Sequence, residues 1–504
     1  FRKCQWFLLL LASIAFYMFS GPKYIVYISI TAVTTYLFAG KIQKLHDREK
    51  KIIGEHDFSK EKKKSIKKQF TAKRKVWLLL DLVINLGMLC VIKYMDFALR
   101  GMSAVLAKFG VDWSKSVSFV LPLGISFYTF MTVGYILDVY WKRYRAEKNI
   151  LKLALFTSYF PHIVQGPIGR YNKLAEQFNQ RYKFDYDRVK KGLLLMLWGY
   201  FEKMVIADRL AIFANGVYAK WDEVTGLPLV LAIIFFSMQL YLDWTGCMDI
   251  ARGVSQIFGI ELERNFWHPY FSKNMPEFWR RWHITLGTWM KDYIFYPFSL
   301  SKQMNRFGKW SKKHLGNTVG KAMPICLADL LIFFVVGIWH GAAWKYIAYG
   351  MYNGIIIAVS SLLEPLYAKG FEKTKIHKES KAWTVVQIIR TFILVNIGWY
   401  FDMAVSFSAA LVMMKETFTK MSMSQFTGTA FLELGMGRRD FLIVLAGCII
   451  IFIVSLLKER GVAVREAIAA KPLIVRWAVW YAFIVIIFIF AYTGDGSAFI
   501  YANF

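Results

Sequence analysis

A series of long apolar stretches constrains this chain more than any other feature of its sequence. A bilayer hydrocarbon core about 30 Å thick needs about 20 apolar residues in each helical crossing. The stretches lie at residues 5–20, 24–39, 76–95, 117–140, 192–205, 227–243, 385–401, 441–457 and 473–492. Hydrophobic residues make up 56% of the 504 residues, against about 45–50% in soluble domains. No strand-like alternation competes with this pattern, so we predict helices that cross a membrane.

With two irregular segments described below, these stretches predict about ten or eleven crossings. The expected fold is an all-α polytopic membrane protein, with re-entrant and interfacial helices around a central funnel or tunnel. No Pro/Gly/Ser-rich linker or low-complexity tract divides the chain, so we predict a single membrane domain over residues 1–504. Because the chain begins at Phe1 rather than Met, we also expect an upstream piece.

The formal net charge of +30 would suit a nucleic-acid partner, but its distribution favours a membrane. Residues 41–75 hold 14 Lys or Arg against 5 Asp or Glu, and residues 252–321 hold 12 against 4. Residues 141–148 and 369–381 are basic as well. Cytoplasmic loops carry such an excess, so we place all four segments in the cytoplasm, near anionic membrane lipids. We predict no nucleic-acid partner, and we expect residues 41–75 to form a surface helix or a partly disordered loop.

One histidine lies inside the apolar stretch 323–363, within the sequence Gly337-Ile338-Trp339-His340-Gly341. A straight helix of that length would reach about 60 Å, and basic residues flank both ends, so the chain must turn back at the glycines. The arm 324–336 would be about 20 Å long, which predicts a turn inside the bilayer and a cavity at His340. An imidazole there suits a general base that takes a proton from an attacking hydroxyl. The alternative is a neutral imidazole that hydrogen-bonds a neighbouring helix.

The second irregular segment, residues 276–298 (PEFWRRWHITLGTWMKDYIFYPF), predicts an aromatic, basic, amphipathic helix of the interfacial or re-entrant type. His283 either approaches His340, to orient a substrate or donate a hydrogen bond to an oxyanion, or simply anchors this helix. Arg280 and Arg281 suit the phosphates of a cytoplasmic donor, although arginine is also common at membrane surfaces. We take Trp282 and Trp339, which adjoin the histidines, as further substrate contacts.

Two other motifs carry candidate substrate contacts. The segment 165–171 (QGPIGRY) would let Gln165 line a tunnel, or it is an ordinary helix break. Asp243 and Asp249 suit a cation site in a transporter, or they pair with Arg252 or another basic residue and fix the helix bundle. Asp243 is also a candidate substrate contact. The eight histidines are scattered and the five cysteines have no short pairing, so we expect no metal and no disulfide framework. There is no P-loop, dinucleotide fingerprint or Ser nucleophile elbow, and we expect no permanently bound cofactor.

The sequence FWRRWHITLGTWMKDYIFYP (278–297), followed by GIWHGAAWKYIAYGMYNG (337–354), resembles the paired signature of membrane-bound O-acyltransferases. The resemblance is to the bacterial branch of alginate O-acetyltransferases and of the D-alanyl transfer protein of teichoic-acid modification. The sequences LPLGISFYTF (121–130), FPHIVQGPIGRY (160–171), YLDWTGCMDIARG (241–253) and FIYANF (499–504) fit the same branch, so the similarity spans essentially the whole chain. One departure is Phe-Ser-Leu-Ser after Pro297, where the family often has a Leu-Gly-Gly turn.

The resemblance implies an enzyme that transfers an acyl group across a bacterial cytoplasmic membrane. His340 matches the invariant histidine of the family and His283 matches its second histidine. The donor substrate would be acetyl-CoA or another acyl thioester from the cytoplasm. The final acceptor would be an exported or cell-wall polysaccharide, reached directly or through an extracytoplasmic partner acetyltransferase.

Two alternatives stay open at this point. Within the enzyme class, the chain could transfer D-alanyl groups to teichoic acid from a carrier-protein thioester. In a different class, it could be an ion- or proton-coupled transporter or a flippase, with Asp243, Asp249 and His340 along the path. A transporter of that kind would need paired half-sites, whereas the sequence shows one broken apolar segment.

Overall fold

The computed structural model describes residues 4–111, 113, 117, 119–374, 377, 380–426 and 431–494. These residues are helical and contain no β-strand, so the predicted all-α class is confirmed. Within them, eight helices are long and apolar enough to cross a membrane, by length and composition. The tail 499–504, which contributes to the family resemblance, lies outside the described residues. The chain divides into two compact units, residues 1–188 with 255–263 and residues 189–254 with 264–504.

The first unit is built from seven α-helices among its described residues, two of which are candidate membrane spans. In chain order they are α1 Gln5–Ser20, α2 Ile25–Glu55, α3 Lys60–Lys108, α4 Ile125–Tyr140, α5 Ile150–Ser158, α6 Phe160–Ile163 and α7 Tyr171–Asn179. The predicted crossing 117–140 is wrong at its start, because the helix begins only after Pro122 and the left-handed Gly124 (φ 69°). Its 16 residues reach about 24 Å, less than the hydrocarbon core.

The basic segment 41–75 continues two membrane helices instead of forming a separate surface helix or loop. Residues 41–55 extend α2 and residues 60–75 begin α3, so the prediction for this segment is wrong. Lys, Glu, Gln and Arg are good helix formers, which lets both helices run on past their apolar parts. A buried ion pair between Arg74 and Glu49 joins the two helices, and Lys142 lies 3.3 Å from the other Glu49 oxygen.

The second unit contains the remaining helices, six of which are candidate spans. They are α8 Tyr186–Tyr200, α9 Asp208–Ala219, α10 Leu227–Ile257, α11 Met275–Arg281, α12 Ile284–Met290, α13 Tyr296–Ser299, α14 Lys302–His340, α15 Trp344–Thr374, α16 Lys381–Met403, α17 Phe407–Thr419, α18 Arg438–Glu459, α19 Val464–Ala469 and α20 Leu473–Phe490. A π-helical segment, Phe201–Ala207, joins α8 to α9, and another, Lys291–Phe295, joins α12 to α13. The predicted crossing 192–205 covers the end of α8 and the start of the first of these junctions, where Glu202 and Lys203 interrupt the apolar pattern.

Helix α14 ends at His340, and the chain then turns back into α15. The start of α14 differs from the prediction. Pro324 lies inside the helix rather than at its start, and the backbone kinks earlier in the chain, at Gly316 (φ 79°). Pro324 cannot donate a hydrogen bond to the carbonyl of Gly320, and the hydroxyl of Ser311 donates to that carbonyl instead, at 2.7 Å. The helical stretch 317–340 is about 36 Å long, so the predicted short arm 324–336 is wrong and helix length alone does not require a turn at mid-membrane.

Glycines let α14 and α15 approach each other closely. A Cβ atom on Gly350 would overlap the backbone carbonyl of Phe333, and one on Gly337 would lie 2.5 Å from the carbonyl oxygen of Tyr346. Neither obstacle is a flexible side chain that could move away. The close approach holds His340 next to the start of α15.

We predict that Gly350→Ala destabilises the second unit by about 1–3 kcal/mol, because the added methyl group forces the two backbones apart. The measurement is thermal unfolding of the detergent-solubilised protein, where the midpoint should fall by several degrees. Gly101→Ala on α3 is the matched control, since its Cβ would have no heavy atom within 4 Å. Equal midpoints for Gly350→Ala and the wild type would contradict the prediction.

Candidate active site

Both candidate histidines lie in the second unit, with one tryptophan between them. His340 is the last residue of α14, and His283 lies between α11 and α12. The ring centroid of Trp339 is 5.2 Å from that of His340 and 5.6 Å from that of His283. His340 is 3% exposed and His283 is 2% exposed. These three side chains therefore form one buried cluster, which we call the histidine site.

The backbone breaks at His283. Residues 276–298 form the short helices α11, α12 and α13 rather than the single amphipathic helix that the sequence predicted, so that prediction is wrong. His283 has φ 44° and ψ 53°, in the left-handed region that residues other than glycine rarely adopt. The break turns the imidazole of His283 into the protein interior.

Asn265 causes this break because it accepts hydrogen bonds that a continuous helix would use internally. The N–H of Ile284 donates to the backbone oxygen of Asn265 and the N–H of Thr285 donates to its side-chain Oδ1, both at 2.9 Å. In a continuous helix both N–H groups would bond carbonyls four residues earlier. One of those carbonyls, that of Arg281, accepts from the N–H of Trp267 instead, at 2.9 Å. A left-handed residue stores on the order of 1–3 kcal/mol of strain, which these three hydrogen bonds offset.

Besides Trp339, the imidazole of His283 contacts one polar and one further aromatic side chain. Its Nδ1 lies 3.2 Å from Oδ1 of Asn265, and its ring meets Trp244 edge to face at 4.3 Å between centroids. Among the described residues, Nε2 of His283 is buried without a hydrogen-bond partner. Burial, followed by the charge of His340, lowers the pKa of His283 well below its ordinary value. The ring is therefore neutral at neutral pH.

Aromatic side chains enclose His340. Tyr349 meets its ring at 5.4 Å and in turn stacks on Trp399 at 5.3 Å. Trp282 is 1% exposed and packs against Trp399 at 5.3 Å and Phe278 at 5.5 Å. The structure therefore places Trp282 in the aromatic core that supports the site, and its predicted contact with a substrate stays a prediction.

The two arginines of α11 differ in their surroundings. Arg281 forms ion pairs with Glu277 at 2.8 Å and with Glu459 at 2.7 Å. Arg280 is exposed. Arg281 is thus already neutralised by two carboxylates, which disfavours the predicted role of this arginine in binding phosphate.

The acidic residues that end the apolar stretch 227–243 are paired. Asp243 lies 2.6 Å from the ammonium group of Lys203, which also contacts Asp208 at 2.5 Å, and all three side chains are buried. Asp249 pairs with Arg252 at 2.8 Å. Pairing with basic residues was one of the two interpretations drawn from the sequence, and a role of Asp243 in binding substrate stays a prediction.

Gln165 belongs to the first unit. It follows α6 in a loop before α7, is 4% exposed, and its side-chain amide has no hydrogen-bond partner among the described residues. Its predicted place along a tunnel stays a prediction.

A cavity of about 420 Å³ lies in the second unit, and Asn265 connects its wall to the histidine site. Basic side chains line it (Arg252, Arg264, Lys458 and Arg465), together with the acidic side chains Glu202, Asp249 and Glu466. Burial, followed by the charges of Arg252 and Arg465, lowers the pKa of Arg264. The four basic side chains outnumber the three acidic ones, which favours an anionic ligand.

Sequence reasoning missed two residues of this region. Glu202 is 3% exposed and lines the cavity. Its position within the apolar stretch 192–205 was a usable signal, since ionisable residues in such stretches are functional candidates. Asn265 had no such signal, because its importance comes from contacts with residues about 20 positions away along the chain. In the described part of the chain, no group of three or more His, Cys, Asp or Glu side chains is placed to hold a metal.

The fold and the site together define a multi-pass helical membrane protein with a buried pair of histidines. Comparison with known families matches residues 142–399 to the membrane-bound O-acyltransferase family. The matched segment contains both histidines, Trp339 and Asn265. The chain belongs to the membrane-bound O-acyltransferase family. Its extent as a single domain over 1–504 stays a prediction.

The chain is also similar to individual bacterial proteins whose names give an activity. The chain is 32% identical over 323 residues to the "probable alginate O-acetylase AlgI" of Azotobacter vinelandii, covering 64% of this chain and 59% of that protein. It is 30% identical over 438 residues to the peptidoglycan O-acetyltransferase of Helicobacter pylori, and this match covers 81% of this chain and 72% of that protein. It is also 30% identical over 285 residues to the teichoic acid D-alanyltransferase of Bacillus subtilis, covering 55% and 67%. The chain thus spans less than two thirds of the length of several of the alginate O-acetylases it matches.

We predict that Lys203→Met strongly destabilises the second unit, because it leaves the buried carboxylates of Asp208 and Asp243 without their cation. Breaking a buried ion pair in this way costs about 3–5 kcal/mol. The measurement is the thermal midpoint, with the exposed Lys220→Met as the control.

The triple variant Lys203→Met with Asp208→Asn and Asp243→Asn should recover part of that loss, because no unpaired charge remains. A single variant as stable as the wild type would show that the carboxylates do not depend on Lys203.

Proposed function

We propose that this protein is a membrane O-acyltransferase that moves an acetyl group from a cytoplasmic thioester to an exported or cell-wall polysaccharide. The single observation that carries the proposal is the histidine site, a buried pair of imidazoles inside the segment that matches the family. Acyl transfer to a hydroxyl needs a base in a water-poor site, and His340 supplies that base.

The reaction balances without a cofactor. The hydroxyl oxygen of the acceptor attacks the thioester carbonyl carbon while His340 takes the hydroxyl proton. The tetrahedral intermediate collapses with cleavage of the C–S bond, and the thiolate leaves and regains a proton, so the products are an ester and a free thiol. The aromatic wall of Tyr349 and Trp399 excludes water, which would otherwise hydrolyse the thioester.

The cavity beside Asn265 is the proposed entry for the donor. Acyl carriers such as coenzyme A have phosphates at one end and the thioester at the other. Phosphates would bind at Arg264 and Arg465, and the thioester end would extend past Asn265 toward the histidine site. This assignment replaces Arg281 with Arg264 as the main phosphate contact, because Arg281 already has two carboxylate partners.

The orientation of the protein in the membrane follows from the distribution of its charged residues. The basic segment 252–321 includes residues that line the cavity, and the excess of Lys and Arg places it in the cytoplasm. The donor therefore enters from the cytoplasm of a bacterial cell, through its cytoplasmic membrane. The acceptor arrives from the other side, either as the polysaccharide or as a hydroxyl of an extracytoplasmic partner transferase.

D-alanyl transfer is a second candidate within the same chemistry. Its support is the similarity to the Bacillus subtilis D-alanyltransferase. The match to the Helicobacter pylori O-acetyltransferase covers more of this chain, 81% against 55%, which favours the acetyl group as the group transferred. A transporter has less support, because Asp243 and Asp249 are neutralised by Lys203 and Arg252 and so offer no free carboxylates for an ion path.

We predict that His340→Ala abolishes transfer, with at least a hundredfold loss of acyl groups on the polysaccharide, because general-base catalysis contributes about 10²–10⁴-fold. Mass analysis of the exported polysaccharide from cells that carry each variant is the measurement, and it also distinguishes acetyl from D-alanyl groups. His314→Ala is the control, since His314 is exposed. Immunoblots of the membrane fraction must show equal amounts of protein. Unchanged acylation in His340→Ala cells would refute the proposal.

For the donor cavity, we predict that Arg264→Ala raises KM for the acyl thioester about tenfold or more while kcat changes little, because the phosphates lose a charged contact. Arg280→Ala is the matched comparison, since this exposed arginine was the sequence-based candidate. Initial rates in membrane vesicles at several acetyl-CoA concentrations give both constants. A larger KM effect for Arg280→Ala than for Arg264→Ala would place the phosphates at α11 instead.

A further inference from the structure

We propose that Asn265 is a positioning residue that fixes His283 as a hydrogen-bond acceptor toward the substrate. This inference rests on the proposed acyl transfer and assigns a direction to the second histidine. From the sequence alone, one role considered for His283 was to donate a hydrogen bond to an oxyanion, and the geometry reverses that direction.

The first step is the orientation of the Asn265 amide. Its Oδ1 lies 2.9 Å from the backbone N–H of Thr285 and 2.8 Å from the hydroxyl of Thr285. A backbone N–H is only a donor, so the atom that faces it must be the amide oxygen rather than the amide nitrogen. The orientation of Asn265 is thereby determined by its neighbours.

The second step is the tautomer of His283. Its Nδ1 lies 3.2 Å from the same Oδ1, which has no proton to donate. Nδ1 must therefore carry the ring proton, and in a neutral imidazole this leaves a lone pair on Nε2. Among the described residues Nε2 is buried without a partner, so it is available to a substrate O–H or N–H group.

The third step is the charge of the ring. Trp244 of α10 faces the imidazole at 4.3 Å and Trp339 of α14 faces it at 5.6 Å, and neither is ionisable. His340 is the titratable group of the described residues whose charge acts on His283, and it disfavours a second positive charge. Burial acts in the same direction and is the larger effect. A neutral His283 cannot donate from Nε2, so the oxyanion must be stabilised by another group.

The experiment compares Asn265→Asp with the wild type in vesicles, by following kcat/KM for acyl transfer against pH. An Asp side chain keeps an acceptor for His283 and Thr285 but adds a negative charge beside the ring, which raises the pKa of the imidazole. His283 must be neutral to accept, so activity falls as pH drops through this pKa. We expect the acidic limb to move upward, with a larger loss of activity at pH 6 than at pH 8. An acidic limb of kcat/KM at the same pH in Asn265→Asp as in the wild type would overturn the inference.

A direct measurement does not depend on activity. Solid-state nitrogen NMR of histidine-labelled protein distinguishes protonated from unprotonated ring nitrogens, and His283→Gln identifies the signal. We expect an unprotonated Nε2 in the wild type, and a protonated Nε2 would overturn the inference. If His340→Ala keeps full transfer, the proposed function fails instead. If His340→Ala is inactive but Asn265→Asp leaves the acidic limb in place, only this inference fails.

Discussion

The hydrogen bonds between Asn265 and the segment 283–285 determine the rest of the active site. They interrupt what would be one amphipathic helix and hold His283 in a left-handed conformation that few side chains tolerate. Without that interruption, the imidazole would follow helical geometry along the face of Trp279 and Trp282. The interruption turns it toward Trp339 and His340 instead. The site therefore depends on a contact between two loop residues that lie about 20 positions apart, inside an otherwise helical unit.

Buried charge is distributed so that most of it is neutralised within the bundle. Lys203 is shared by Asp208 and Asp243, Arg252 pairs with Asp249, and Arg209 pairs with Asp440. An isolated charge in such surroundings would cost several kcal/mol, which pairing reduces. The histidines meet the same constraint differently, because an imidazole can be neutral without a counter-ion. A neutral base in an apolar site is what proton abstraction from a hydroxyl requires, so the solvation constraint and the chemistry agree.

Much of the fold could be predicted because two physical constraints, apolar length and the charge of the flanking loops, largely determine where helices cross a membrane. Apolar length and basic flanks were enough for the all-α class and for the turn after His340, which falls at Gly341 while α14 continues through Gly337. The errors came from interactions that have no local signature. Ser311 replaces the hydrogen bond that Pro324 cannot make, so α14 continues where a break was expected. Asn265 takes hydrogen bonds from α12, so a break occurs where continuity was expected. In both cases a residue at least nine positions away along the chain supplies or takes the hydrogen bonds that decide whether the helix continues.

The cavity shows why abundance of arginine is a poor guide to function in such a chain. Arg280 and Arg281 stand out in the sequence because they are adjacent, yet one is exposed and the other is held by Glu277 and Glu459. Arg264 is inconspicuous in the sequence, but folding places it in the wall of the cavity, where burial and the positive charges of Arg252 and Arg465 lower its pKa. The same folding step brings Asn265, the next residue, against His283. One segment thus links the proposed binding of the donor to the orientation of the imidazole that would meet it.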